Sequence, residues 1–236
     1  MAGSRIDLAA VEASLRALQA EFPRINEFLK SPRDRLDDEV ILNLLAGYAY
    51  VDRAIADGVD LLALGNLRHL LELNTIVLCG EDPLARRLNA RHIAATEQHF
   101  WEQSGGGVRD IVEWHERHRG ETVWQRAAGV YIRILSEPQL YIEGNHRTGA
   151  LVMSYLLVRD GKPPFVLTAE NAKEYFDPSA VITKTRKSSL AMLFRMPKAK
   201  KYFGEYLKSH ADDTHLLTRT AAPTGGDRAA ARASCG

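Results

Sequence analysis

The chain has 236 residues, 45% of them hydrophobic, with 31 Lys and Arg against 30 Asp and Glu, a formal net charge of +1. That length suits one domain whose core needs no disulfide or structural metal, and the even charge balance excludes the global field of a nucleic-acid or membrane-surface protein. No apolar run reaches the length of a membrane span or forms a signal-peptide core, and the two cysteines, Cys79 and Cys235, make no disulfide framework, so a cytoplasmic protein is expected.

The apolar period predicts an all-α protein. Asp7 caps a helix in which Leu8, Val11, Leu15, Leu18 and Phe22 recur at three and four, closing at Pro23. A second helix follows Asp37-Asp38 and stops at Asp57-Gly58. A third, from about Leu61 to Leu78, is apolar on most faces and therefore expected at the centre. Asp82-Pro83 opens a helix predicted to reach about Glu102, and Ser104-Gly105-Gly106-Gly107 breaks the pattern. Helices over Val108 to His118 and Trp124 to Leu135 come next.

After a loop, a helix starts at about His146 and ends at Asp160-Gly161. Phe165-Val166-Leu167 reads as a short extended segment, and Thr168 caps a further helix. Two short helices, near Ser188 to Arg195 and Lys198 to Ser209, complete one domain over residues 1–210. Lys184, Arg186 and Lys187 read as a solvated basic loop. From about Ala211 the apolar period disappears, so 211–236 is expected to be a disordered tail.

Residues 139–149, Gln-Leu-Tyr-Ile-Glu-Gly-Asn-His-Arg-Thr-Gly, carry the most chemistry. Glu143 offers oxygens to a hard cation such as Mg²⁺. Gly144 lets backbone N–H groups approach an anion without a Cβ in the way. Arg147 supplies a permanently charged fork for phosphate oxygens, and the helix that begins beside them points its positive end at the same spot. Helix–turn–helix corner geometry alone, with Asn145 as cap, would explain Gly144 and Asn145 but gives Glu143 and Arg147 no role.

This stretch resembles the signature loop of the Fic (Fido) family, His-x-Phe-x-(Asp/Glu)-Gly-Asn-(Gly/Lys)-Arg followed by Thr. Glu143, Gly144, Asn145, Arg147 and Thr148 fall on the pattern, Tyr141 takes the place of the aromatic anchor, and His146 the variable position. The resemblance covers mainly residues 124–167. It implies a Fic-like helical bundle with a helix–loop–helix anion site, phosphate contacts from Gly144, Asn145, His146, Arg147 and Thr148, Mg²⁺ on Glu143, and ATP or another nucleotide as ligand. One departure matters most: Gln139 stands where the family has its catalytic histidine. An amide has no basic lone pair near neutral pH and cannot accept a hydroxyl proton as imidazole does. His146 is the candidate substitute base.

Further features of the family have weaker echoes. Glu72-Leu73-Asn74-Thr75 is similar to part of the family's inhibitory helix, which makes Glu72 a candidate partner for Arg147. The glycine run at 105–107 is the candidate for a reduced β-hairpin flap that would hold a protein target. Two readings stand at this point: a protein adenylyltransferase-like enzyme acting on a protein hydroxyl, or a catalytically inactive regulatory protein that binds a nucleotide or a phosphorylated small molecule.

Overall fold

The computed structural model describes residues 6–102 and 107–217. Among these residues there are ten α-helices, two 3-10 turns and two isolated β-bridges, with no strand. The protein is all-α. Helix α1 (Leu8–Glu27) starts where the Asp7 carboxylate accepts from the Ala9 and Ala10 amides, and it buries Val11, Leu15, Leu18 and Phe22. It runs four residues past Pro23. That ring lies on the exposed side, while Phe22 beside it is buried, so packing outweighs the one lost backbone bond.

Helix α2 (Asp38–Ala56) is capped by Asp37. The next helix, α3 (Arg68–Cys79), begins seven residues later than the apolar pattern predicts. Leu61 and Leu62 are buried all the same, in the turn that leads through a 3-10 turn at Leu64–Asn66. Burial without helix extended the pattern. The single helix expected from Pro83 is two, α4 (Pro83–Leu88) and α5 (Ala90–Glu102). Asn89 separates them, its side-chain amide donating to the Ala85 carbonyl at 2.9 Å, a local bond that competes with helix continuation.

Helices α6 (Val108–Arg117), α7 (Val123–Leu135), α8 (Asn145–Arg159), α9 (Ala172–Ile182) and α10 (Leu190–Ser209) follow. The two short helices expected near the end are one, α10, which passes through the exposed Pro197. The central element is α8 rather than α3. It packs on α7, α2 and α3, and every residue from Leu151 to Val158 is buried. Close approach to α7 is possible because Gly149 has no Cβ; one would lie 2.9 Å from the Tyr131 ring. Phe165 and Val166 form no strand. Side chains satisfy their carbonyls: Tyr48 (2.6 Å) and Ser154 (2.9 Å) donate to that of Phe165, and Asn171 (2.9 Å) to that of Val166.

The domain does not end at residue 210. His215, 2% exposed, bonds Ser14 Oγ through Nε2 at 2.9 Å, its carbonyl accepts from the Asp7 amide at 2.8 Å, and Leu216 bridges Ile6. Residues 211–217 thus clasp the start of α1, which corrects the expected tail. The rest of that tail, 218–236, lies outside the described residues, as do Gly105 and Gly106 of the flap candidate.

Candidate functional site: the loop before helix α8

The loop leaves α7 at Ser136, whose hydroxyl donates back to the Ile132 carbonyl. The Glu137–Pro138 peptide is cis. The segment between α9 and α10 grips this point: the Glu137 amide donates to the Thr185 carbonyl (2.9 Å), the Lys187 amide to the Glu137 carbonyl (2.7 Å) and Lys187 Nζ to the Pro138 carbonyl (2.7 Å). Lys187 therefore is not in a solvated loop. Burial, offset in part by Asp110, lowers its pKa to about 8.

Tyr141 pins the middle of the loop. Its ring is buried and stacks on Phe100 of α5, with centroids 5.8 Å apart, and its hydroxyl donates to the Leu70 carbonyl of α3 at 3.0 Å. Asn145 then closes the turn. Its Oδ1 accepts from the Tyr141 amide at 2.9 Å, and its Nδ2 donates to the Tyr141 carbonyl (2.8 Å) and to Gln139 Oε1 (3.1 Å). From α3, Asn74 Nδ2 donates to the Glu143 carbonyl and to Thr148 Oγ1, both at 3.0 Å. Gly144 turns the chain at φ 76°, and a Cβ there would stand 2.9 Å from Asn74 Nδ2.

The outer side of the turn is open. Gly144 provides no side-chain cap for α8, and the first intrahelical bond runs from the Thr148 amide to the Gly144 carbonyl. The amides of Asn145, His146 and Arg147 are thus the donors a helix start leaves over. Among the described residues Arg147 has only long contacts, 3.4 Å from Nη1 to the Val77 carbonyl near the end of α3 and 3.8 Å from Nη2 to Glu143. The Glu143 side chain is 62% exposed. Among the described residues no three His, Cys, Asp or Glu side chains converge as a metal site. A Mg²⁺ ion on Glu143 would complete its shell with phosphate oxygens and water, the usual habit of that ion.

Two candidates, His146 and Glu72, are placed otherwise than expected. His146 turns from the open side into an aromatic cluster, against Tyr131, Tyr175 and Phe176. Arg33 Nη1 stands 3.4 Å from its Nε2, and a guanidinium only donates, so Nε2 accepts; Nδ1 then carries the proton, toward the Tyr131 hydroxyl at 3.1 Å. Burial and, after it, the Arg33 charge lower the His146 pKa to about 3. Both nitrogens are committed, which removes His146 as a substitute base. Glu72 pairs with Arg86 at 2.8 Å rather than with Arg147, so the inhibitory contact is absent. Gln139 sits beside the turn but spends its Oε1 on Asn145, while its carbonyl accepts from His99 Nε2 at 2.9 Å.

The sequence reading missed the part played by Asn74, which joins α3 to both the loop and α8. A signal was present: an Asn, 1% exposed, lies in the otherwise apolar Leu70–Val77 face of a helix, and buried amides are placed to hydrogen-bond. In comparisons with known proteins, no protein-family model, no curated protein and no solved structure matches the chain.

Proposed function

We propose that the protein is a Fic-like binding protein whose loop takes the phosphates of a nucleotide such as ATP, with Mg²⁺, and that it transfers AMP slowly or not at all. The observation that carries the reading is the uncapped start of α8: three amides with no partner among the described residues, behind a glycine turn, flanked by an arginine with no close partner among those residues and an exposed carboxylate. Backbone donors, the positive end of a helix dipole and a guanidinium all favour the same anion. Arg147 would grip terminal phosphate oxygens, and Glu143 would share Mg²⁺ with them. The ion's contribution when bound is neutralisation of phosphate charge.

The binding reading is favoured over the transferase reading by the same geometry. Position 139 holds an amide tied to Asn145, and the one imidazole in the loop is turned into the core. Without a positioned base, hydroxyl attack loses about 10²–10⁴-fold in rate. Equilibrium dialysis with radiolabelled ATP tests both parts. Label should be retained in the presence of Mg²⁺, retained less by Glu143→Ala, and released on denaturation. Label that survives denaturation would make the protein a transferase; no retention at all would refute the nucleotide site.

A further inference from the structure

The outer face of the first half of α10 carries large apolar side chains that the fold leaves uncovered. Leu190, Leu193 and Phe194 are spaced at three and four, so they share one side of the helix, and each is 68–72% exposed. Met192, Met196 and Phe203 on the other side are buried and supply the packing of α10 on the core. Single exposed apolar residues are ordinary, but a cluster of large ones on one face marks a surface that meets something apolar. One turn further, Lys198 and Lys201 continue the exposed face.

Charge says what that surface meets. The chain as a whole is close to neutral, yet no Asp or Glu occurs between Asp177 and Glu205. Lys187 and Lys200 of this stretch are engaged, by the Pro138 carbonyl and by Glu121, and Arg186 reaches Glu137 at 3.5 Å. Lys184, Arg195, Lys198 and Lys201 are exposed and have no acidic partner among the described residues. The chain's own segments outside the described residues do not complement them: residues 1–5 and 218–236 hold Arg5, Arg219, Arg228 and Arg232 against Asp227 alone. A second copy meeting this face about a two-fold axis would set these cations against their own counterparts. A peptide is held in a groove, whereas side chains this exposed stand out as a ridge. Protruding Leu and Phe ringed by Lys and Arg suit an anionic lipid surface, which takes the apolar tips at the acyl boundary and the cations at its headgroups.

We propose that the outer face of the first half of α10 docks the protein on an anionic lipid surface, with Leu190, Leu193 and Phe194 entering the interface. The surface is independent of the phosphate loop. The test is co-sedimentation of the full chain with vesicles of phosphatidylcholine alone and of equal parts phosphatidylcholine and phosphatidylserine. The chain should sediment with the anionic vesicles and not with the neutral ones, and raised salt should weaken the binding. Phe194→Ser should weaken it at least about tenfold and Lys198→Ala about fivefold. Both positions are exposed, so both variants should keep the melting temperature of the wild type. Arg147→Ala should bind vesicles as the wild type does. No sedimentation with the anionic vesicles, equal binding to the neutral ones, or binding unchanged in Phe194→Ser would each overturn the proposal. Loss of vesicle binding in Arg147→Ala would place the lipid at the loop instead, and an oligomer that Phe194→Ser dissociates would make the face a contact between copies; either result also overturns it.

Discussion

The inner and outer sides of the 139–149 loop are made of neighbouring residues and have opposite characters. On the inner side Tyr141, Asn145 and Thr148 are buried, and each of their side-chain polar atoms has a partner at 2.8–3.1 Å. On the outer side Ile142 and Glu143 are exposed, Arg147 has contacts of 3.4 and 3.8 Å, and the helix start is uncapped. One motif thus contains two kinds of residue. Asn145 and Thr148 hold a shape, and Glu143 and Arg147 project from it. On the proposed function, a well-bonded inner side would hold the outer donors in place, so that binding would not have to order them first.

Substitutions can break this division. The largest effect on stability is expected from Asn145→Ala, which strands the buried amide and carbonyl of Tyr141 and frees Gln139. Thermal or urea unfolding should show a loss of about 2–4 kcal/mol. A loss as small as that of a surface substitution would mean the inner side is not the scaffold. Asn74→Leu should cost less, about 1–3 kcal/mol, because one donor serves two acceptors there. It should also weaken ATP retention, since the Glu143 carbonyl would lose its anchor; stability lost with retention unchanged would show that the loop holds itself without α3.

A pH titration sharpens the same point at His146. Its folded pKa, about 3, lies below the ordinary 6.5. Above pH 6.5 the ring is neutral in both states and no proton is taken up on unfolding. As pH falls from 6.5 toward 3 the unfolded chain binds a proton that the folded one refuses. Stability should therefore fall with acid, by at most about 1.4 kcal/mol per pH unit from this group. Urea unfolding of wild type and His146→Gln between pH 7 and 4 checks it. The variant should have the flatter profile, and equal slopes would mean the imidazole is not buried.

Much of this architecture was readable beforehand because helices announce themselves by period. The spacing of Val11, Leu15, Leu18 and Phe22 on α1, and the caps Asp7, Asp37 and Asp82, are local signals that the fold keeps. What was misread depends on contacts distant in sequence. Pro23 and Pro197 look like helix ends until the exposed side of each helix is known. Leu61 and Leu62 are apolar because they are buried, and burial does not require helix. Residues 211–217 have no period to read, and their order comes from Ile6, Asp7 and Ser14 at the other end of the chain.

The site shows the same limit. Residue types suggest a chemistry for Glu143, Gly144 and Arg147, but only orientation tells which neighbours stand beside them. His146 looked available beside Arg147, and a helix sends adjacent side chains in different directions, here one toward α9 and the other toward α3. Glu72 stands in a segment, Glu72-Leu73-Asn74-Thr75, whose residue types suggest a contact with Arg147, whereas Arg86, fourteen residues on, folds back to meet it.

If the outer side binds phosphate and contributes little to the fold, Arg147→Ala should separate affinity from stability. Calorimetric titration with ATP and Mg²⁺ should be run beside thermal unfolding of the same preparations. Binding should weaken by about 1.5–3 kcal/mol, roughly ten- to a hundredfold in affinity, with stability changed by less than about 0.5 kcal/mol. Equal affinity in the two proteins, or a stability loss as large as that of Asn145→Ala, would contradict it.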